Sequence, residues 1–250
     1  MRTVRPAAEP YHAGTGPLGV LVLHGFTGSP VSMRPWAEHL VADGFRVALP
    51  RLPGHGTTWQ DLNTTGWPDW YGTAELEFTA LAAECSHVFI AALSMGASLA
   101  LRLAERYGNQ VAGMVLVNPF VNQKDPRLLV LPLLRRVAPS FPGVVNDIAK
   151  PGQDEGGYSR LPLTAMASLV RAWRELHADL PAVTSPVLIY RSRTDHTVDT
   201  SSVSLIMAKA SSVHLSLRTL PRSYHVATLD YDAEEIFTGS SDFFRQLAKD

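Results

Sequence analysis

The chain has 250 residues, 46% of them hydrophobic and 18% charged, with a net charge of −1. That length and apolar content suit one α/β domain spanning residues 1–250 with a full core, rather than two separate domains. The absence of a basic field argues against nucleic acid as a partner, and the single cysteine, Cys85, excludes an internal disulfide framework and a Cys-rich zinc site.

The opening stretch MRTVRPAAEPYHAGTGP lacks the apolar core of a signal peptide. No run approaches the ~20 uninterrupted apolar residues of a membrane-spanning helix. A cytoplasmic location is expected. The first strand is GVLVLHG, Gly19 to Gly25, a short apolar run ending in glycine. Ser32 can cap a helix that has Pro35 in its first turn and Gly44 just past its end. Phe45–Pro50 is the next strand, and the polar stretch RLPGHGTTWQDLNTTGW after it reads as a loop. Pro68 can start a helix running to about Glu84. A strand at Val88–Ala92 then leads through a sharp turn into a helix ending near Tyr107.

VAGMVLVNP is another buried strand, ending near Asn118, and Pro186–Ser192 is the next. A helix over about Thr200–Ala210 and the strand VHLSLRTL follow. Asp232 and Glu235 have capping-box spacing for a last helix to about Ala248. Strands alternating with helices predict a mostly parallel sheet of about six to seven strands with helices on both faces. Little chain precedes Gly19, so room for an added antiparallel pair at that edge is short.

The alternation breaks once. Between Asn118 and Pro186 no strand is evident, only apolar and loop segments and a helix over about Thr164–Ala178. The stretch at about 119–180 reads as a small cap inserted over the carboxyl ends of the strands, where open α/β sheets bind ligands.

The chemistry centres on VFIAALSMGASLA, where Ser94 sits between strand and helix as in the nucleophile elbow G-x-S-x-G. Alanine at 92 replaces the first glycine and adds one methyl in a tight turn, which is expected to be tolerated. A serine hydroxyl needs a base, a group to orient that base and donors for the oxyanion. Asp195 lies in the loop after the strand Pro186–Ser192, with Asp199 as a nearby rival. His225 lies in the loop after the last strand. The order Ser94, Asp195, His225 is that of α/β-hydrolases, and each residue follows the carboxyl end of a separate strand. The backbone N–H of Met95 and that of Phe26, in HGFTGSP, are the candidate oxyanion donors. His24 is expected to order that loop, His55 to brace a turn, and His196 and His214 to be structural or exposed. No H-E-x-x-H or Cys/His spacing suggests a metal.

GVLVLHGFTGSPVSMRPWAEHL, PRLPGHGTTWQDL, ALSMGASLAL and SYHVATLDYD resemble the bacterial monoacylglycerol lipase and carboxylesterase group of α/β-hydrolases. The likeness runs along nearly the whole chain from Pro17 and is weakest in the insertion. It implies a helical cap, no cofactor, and hydrolysis of single-chain acyl esters, most of all monoacylglycerols. It also implies Ser94, Asp195 and His225 as triad and Phe26 and Met95 as oxyanion donors. Within DIAKPGQDEGGY, Glu155 matches a glutamate that can meet the glycerol head group; an exposed acidic loop is the other reading. RLLVLPLLRR, Arg127 to Arg136, has no clean helical stripe. Leu128 and Leu131 in it are expected either to pack the core or to line an acyl tunnel whose outer side touches lipid transiently. A general carboxylesterase, an aryl (cinnamoyl-type) esterase, a thioesterase, and a catalytically silent binding module on the same fold remain alternatives.

Overall fold

The structure, a computed structural model, describes residues 3–249. It begins with β1 (Tyr11–Ala13), β2 (Leu18–Leu23), α1 (Arg34–Ala42) and β3 (Arg46–Leu49). Next come α2 (Trp59–Leu62), α3 (Trp67–Glu84), β4 (His87–Leu93), α4 (Met95–Tyr107) and β5 (Val111–Val117). The segment after β5 holds α5 (Arg127–Val137), β6 (Ser140–Pro142), β7 (Arg160–Pro162) and α6 (Leu163–Asp179). The last elements are β8 (Val187–Ser192), α7 (Ser201–Lys209), β9 (Leu215–Leu220) and α8 (Ala233–Leu247).

Seven strands make one sheet in the order β1-β3-β2-β4-β5-β8-β9, with β1 antiparallel and the other neighbours parallel. The inner strands are apolar at nearly every position because both faces are covered. Side chains alternate between the faces. Leu21, Leu23, Ile90 and Ala92 point into one core with residues of α3, α4, α6 and α7. Val20, Val22, Phe89 and Ala91 point into the other, against Trp36 and Leu40 of α1 and Phe237 and Phe244 of α8. The chain passes from β2 to β3 on one side, then returns to β4 on the other. That reversal opens a crevice at the carboxyl ends of β2 and β4, the expected ligand position in such sheets.

Several local expectations are corrected. No added pair of antiparallel strands forms at the N-terminal edge among the described residues, but a single antiparallel strand does: β1 pairs Tyr11 with Leu49 through Ala13 with Val47. The presumed loop after β3 contains α2, whose N-cap Thr58 accepts from the Asp61 N–H. Ser29, not Ser32, caps the start of the first helical segment, a 3-10 turn over Pro30–Met33. Asp232 makes no side-chain cap for α8; its carboxylate is taken by Arg222 and by the backbone N–H of Ser223. The stretch between Asn118 and Pro186 does hold strands, since β6 and β7 pair antiparallel, Ser140 with Pro162 and Pro142 with Arg160. Three-residue strands rich in proline give no period-2 signal, so they are invisible to a pattern reading. RLLVLPLLRR forms α5 despite Pro132 inside it, with Leu131 buried and Leu129 and Leu133 exposed. No helix among the described residues is long and apolar enough to cross a membrane.

α4 starts so close to β2 that a Cβ on Gly96 would lie 2.3 Å from the Leu23 carbonyl oxygen. Backbone cannot yield there as a flexible side chain could. Gly96→Ala is expected to cost about 2 kcal/mol or more of stability, read as a lower urea midpoint; an unchanged midpoint would contradict this packing.

Candidate active site

Ser94 stands at the strand-to-helix turn with φ 55° and ψ −119°. This is a conformation that L-residues adopt only when the surroundings impose it. Those surroundings are explicit. The Ser94 N–H donates to the Val117 carbonyl at 3.0 Å, and the Ser94 carbonyl accepts from Ala97 and Phe120, each at 3.0 Å. Gly25 approaches from β2; a Cβ there would meet the Ser94 Cβ at 3.1 Å. Ala92 lies two residues earlier on β4, paired in register with Leu23 and Leu116, and its methyl is wholly buried in the apolar core. The elbow therefore forms with alanine in place of the first glycine.

The structure brings Ser94, Asp195 and His225 together. His225 Nε2 lies 3.0 Å from Ser94 Oγ, and His225 Nδ1 lies 2.9 Å from Asp195 Oδ2. A carboxylate only accepts, so Nδ1 carries the proton and Nε2 is free to accept from the serine. Burial works against a charged imidazole, but the Asp195 charge and hydrogen bond outweigh it, helped by Glu155 and Asp147, and the His225 pKa is raised. Burial likewise works against ionised Asp195, yet His225, Arg191 and the Val198 N–H hold its pKa down at about 2. Asp195 Oδ1 accepts from the N–H groups of Thr197 and Val198 at 2.9 and 2.8 Å. The rival Asp199 serves elsewhere, bonding the Ser201 N–H at the start of α7 and the Lys124 N–H.

Met95 is the first residue of α4, where an N–H has no partner within the helix. Phe26 follows Gly25 in the loop after β2. His24 ties that loop down: its Nδ1 donates to the Gly25 carbonyl at 3.0 Å, and its Nε2 accepts from the Leu52 N–H at 3.2 Å. Acceptance at Nε2 requires a neutral ring, and burial lowers its pKa to about 4. His55 braces the neighbouring turn through the Pro53 carbonyl at 3.1 Å and packs edge-on against His24 and Phe26. His214 is exposed.

A cavity of about 540 Å³ opens over Ser94 and His225. Leu128, Leu131, Leu134, Leu161 and Met166 form much of its apolar wall, while Glu155 and Asp147 stand on the polar side. Glu155 Oε1 accepts from the Asn146 N–H at 2.7 Å, and the Glu155 N–H donates to Asn146 Oδ1 at 2.9 Å. Burial raises the Glu155 pKa.

Three residues escaped the sequence reading. Asp147 bonds the backbone N–H of His196 at 3.0 Å and the His196 ring at 2.7 Å, and reaches the His225 N–H at 3.4 Å. Arg191 donates to Asp195 Oδ2. Asn118, at φ 44°, donates through Nδ2 to Ser192 Oγ at 2.9 Å and to the His225 carbonyl at 2.8 Å. Its Oδ1 accepts from the Ser192 N–H at 2.8 Å. Asn118 alone left a trace in sequence: asparagine at a strand end tolerates positive φ. Asp147 meets its partners only through tertiary packing, while Arg191 lies four positions from Asp195 with no sequence pattern to mark the pair.

A family profile described as serine aminopeptidase, S33 (Hydrolase_4) matches residues 18–232. The chain is 37% identical over 246 residues to a thermostable monoacylglycerol lipase of Bacillus sp. (strain H-257), covering 98% of this chain and 97% of that one. It is 25% identical over 251 residues to a carboxylesterase of Bacillus subtilis (strain 168), covering 99% of each. A solved structure from work on the metagenome-derived lipolytic enzymes LipS and LipT superposes with TM-score 0.93 at 36% identity, over 98% of this chain and 100% of that one.

Asn118→Ala would strand several buried backbone and side-chain groups at the ends of β8 and the His225 loop. It should cost about 3 kcal/mol in a urea unfolding curve; a loss below about 1 kcal/mol would mean that water replaces these bonds.

Proposed function

The chain belongs to the serine aminopeptidase S33 family of hydrolases, and we propose from that premise that it hydrolyses single-chain acyl esters, monoacylglycerols above all. The reading is carried by the relay from Ser94 Oγ to His225 Nε2 at 3.0 Å and from His225 Nδ1 to Asp195 Oδ2 at 2.9 Å. His225 takes the Ser94 proton as Oγ bonds to the acyl carbon. Asp195 holds the ring in the right tautomer and balances the imidazolium. The oxygen that becomes negative sits between the N–H groups of Met95 and Phe26. His225 then returns the proton to the leaving alkoxide, leaving an acyl-serine. Water, activated by the same histidine, releases the acid and restores Ser94.

Residues 119–180 act as the cap. Leu128 and Leu131 of α5, with Leu134, Leu161 and Met166 beside them, line the acyl channel. Each buried CH₂ of substrate gains roughly 0.8 kcal/mol, so a medium chain is held by several kcal/mol without any charge. Glu155, on the polar side of the same cavity, takes the glycerol hydroxyls; one of its oxygens is already fixed by Asn146, which presets the carboxylate. The 37% identical relative carries the name thermostable monoacylglycerol lipase, in line with this reading. A general carboxylesterase is the second reading, favoured by the end-to-end similarity to the Bacillus subtilis carboxylesterase.

The outer face of α5 presents Leu129, Val130, Leu133 and Val137 to solvent, with Arg127, Arg135 and Arg136 on the same helix. Exposed apolar side chains with basic neighbours suit a lipid surface, and transient contact there would deliver substrate to the cavity mouth.

Hydrolysis of C6–C18 monoacylglycerols beside matched ethyl esters and acyl-CoAs tests the assignment. Ser94→Ala is expected to lower kcat at least ~10³-fold. Glu155→Gln should raise KM for the glycerol esters about tenfold and leave ethyl esters unchanged, while Leu131→Asp should abolish the gain with chain length. Equal wild-type rates on glycerol and ethyl esters would leave the general carboxylesterase. For the surface, Leu129→Glu with Leu133→Glu should end co-sedimentation with anionic vesicles without altering turnover of a soluble short-chain ester; retained binding would locate the contact elsewhere.

A further inference from the structure

Arg191 is the penultimate residue of β8, four positions before Asp195. Its Nη1 donates to Asp195 Oδ2 at 2.5 Å, and its Nη2 donates to the Val198 carbonyl at 2.5 Å. The Arg191 side chain is 12% exposed and that of Asp195 is 0% exposed, so the pair is poorly screened by solvent. Asp195 Oδ2 is the same oxygen that receives His225 Nδ1. Placed end to end through that oxygen, the two contacts keep the guanidinium nitrogen and the imidazole nitrogen within about 5.4 Å.

We propose that Arg191 is a positioning residue which, through the shared oxygen of Asp195, sets the pH at which His225 becomes a competent base. This rests on His225 being the general base of the proposed function. The charges around His225 are unequal. Asp195 faces it from the loop after β8, while Asp147 and Glu155 face it from the insertion, and all three favour the protonated ring. Asp230 holds the adjoining Tyr224 N–H. The His196 ring sits on the far side of Asp147, half-exposed. Arg191 is the fixed cation that opposes the carboxylates, because a guanidinium keeps its charge at every working pH. Asp195 does not need it as a hydrogen-bond partner. With Arg191 gone, Thr197, Val198 and His225 would still donate to the carboxylate. What Arg191 alone brings to Asp195 is a permanent positive charge. Without it His225 would hold its proton to higher pH, and the base would be idle over part of its range.

The test is the pH dependence of kcat/KM for a neutral short-chain ester, read beside the second-order rate of fluorophosphonate labelling at Ser94. Arg191→Gln keeps amide donors and removes the charge; its acid limb should move up by about one pH unit, with the plateau within a few-fold of wild type. Arg191→Lys keeps the charge, and its limb should stay within about 0.3 unit of wild type. A limb unmoved in Arg191→Gln, or moved equally in both variants, would overturn the proposal and leave Arg191 as a brace of the 195–198 loop. A wild-type protein with no Ser94-dependent turnover or labelling would instead overturn the proposed function, so the two failures are distinct.

Discussion

A serine held at φ 55° between β4 and α4 is the constraint around which the rest of the architecture is arranged. Such a backbone costs about 1–3 kcal/mol and survives only where neighbours over-determine it. Parallel strands supply those neighbours. Val117 at the end of β5 accepts the Ser94 N–H, while Gly25 and Gly96 let β2 and α4 come close enough to leave no alternative geometry. The strain therefore sits in a rigid sheet. The hydroxyl it projects points into the crevice where strand order reverses.

A second tier of bonds aligns the partners of that serine. Asn118 joins the end of β5 to Ser192 and to the carbonyl of His225. Asp147 joins the insertion to the backbone of His196, next to Asp195, and of His225. Asp230 in turn accepts from Ala149 and Lys150 of the insertion and from Tyr224. The segment around 147–150 is thus bonded at several points to the loops that carry His196 and His225. By contrast α5 shows Leu129, Val130, Leu133 and Val137 to solvent. The insertion therefore combines a tied polar side near His225 and an apolar side facing outward.

Electrostatics follow the same layout. Burial would discharge both His225 and Asp195, yet their mutual attraction and the donors around the carboxylate reverse that tendency. His24 goes the other way, kept neutral by burial so that it can donate on one side and accept on the other. Two histidines close in sequence type are set to opposite tasks by what surrounds them.

Much was legible from sequence because it depends on local rules. Apolar runs with flanking glycine and proline marked the inner strands and most helices. The turn of Ala92-Leu93-Ser94-Met95-Gly96 marked the elbow, and loop position after β8 and β9 marked Asp195 and His225. β1, β6, β7 and the real caps were not legible, since three-residue strands and side-chain capping are decided by what lies across space. The same holds for α5: a uniformly apolar run has no period, and only packing chose Leu131 for the interior and Leu129 for solvent. Sequence by itself determined the alternating α/β order and the positions of Ser94, Asp195 and His225 just past the ends of separate strands, because element order and loop position follow from short-range pattern. Tertiary structure alone decided that Arg191 and His225 share one oxygen of Asp195, that Asp147 reaches both loops, and that Asn118 ties them. Those contacts join residues whose meeting depends on strand register and loop path, which no local propensity encodes.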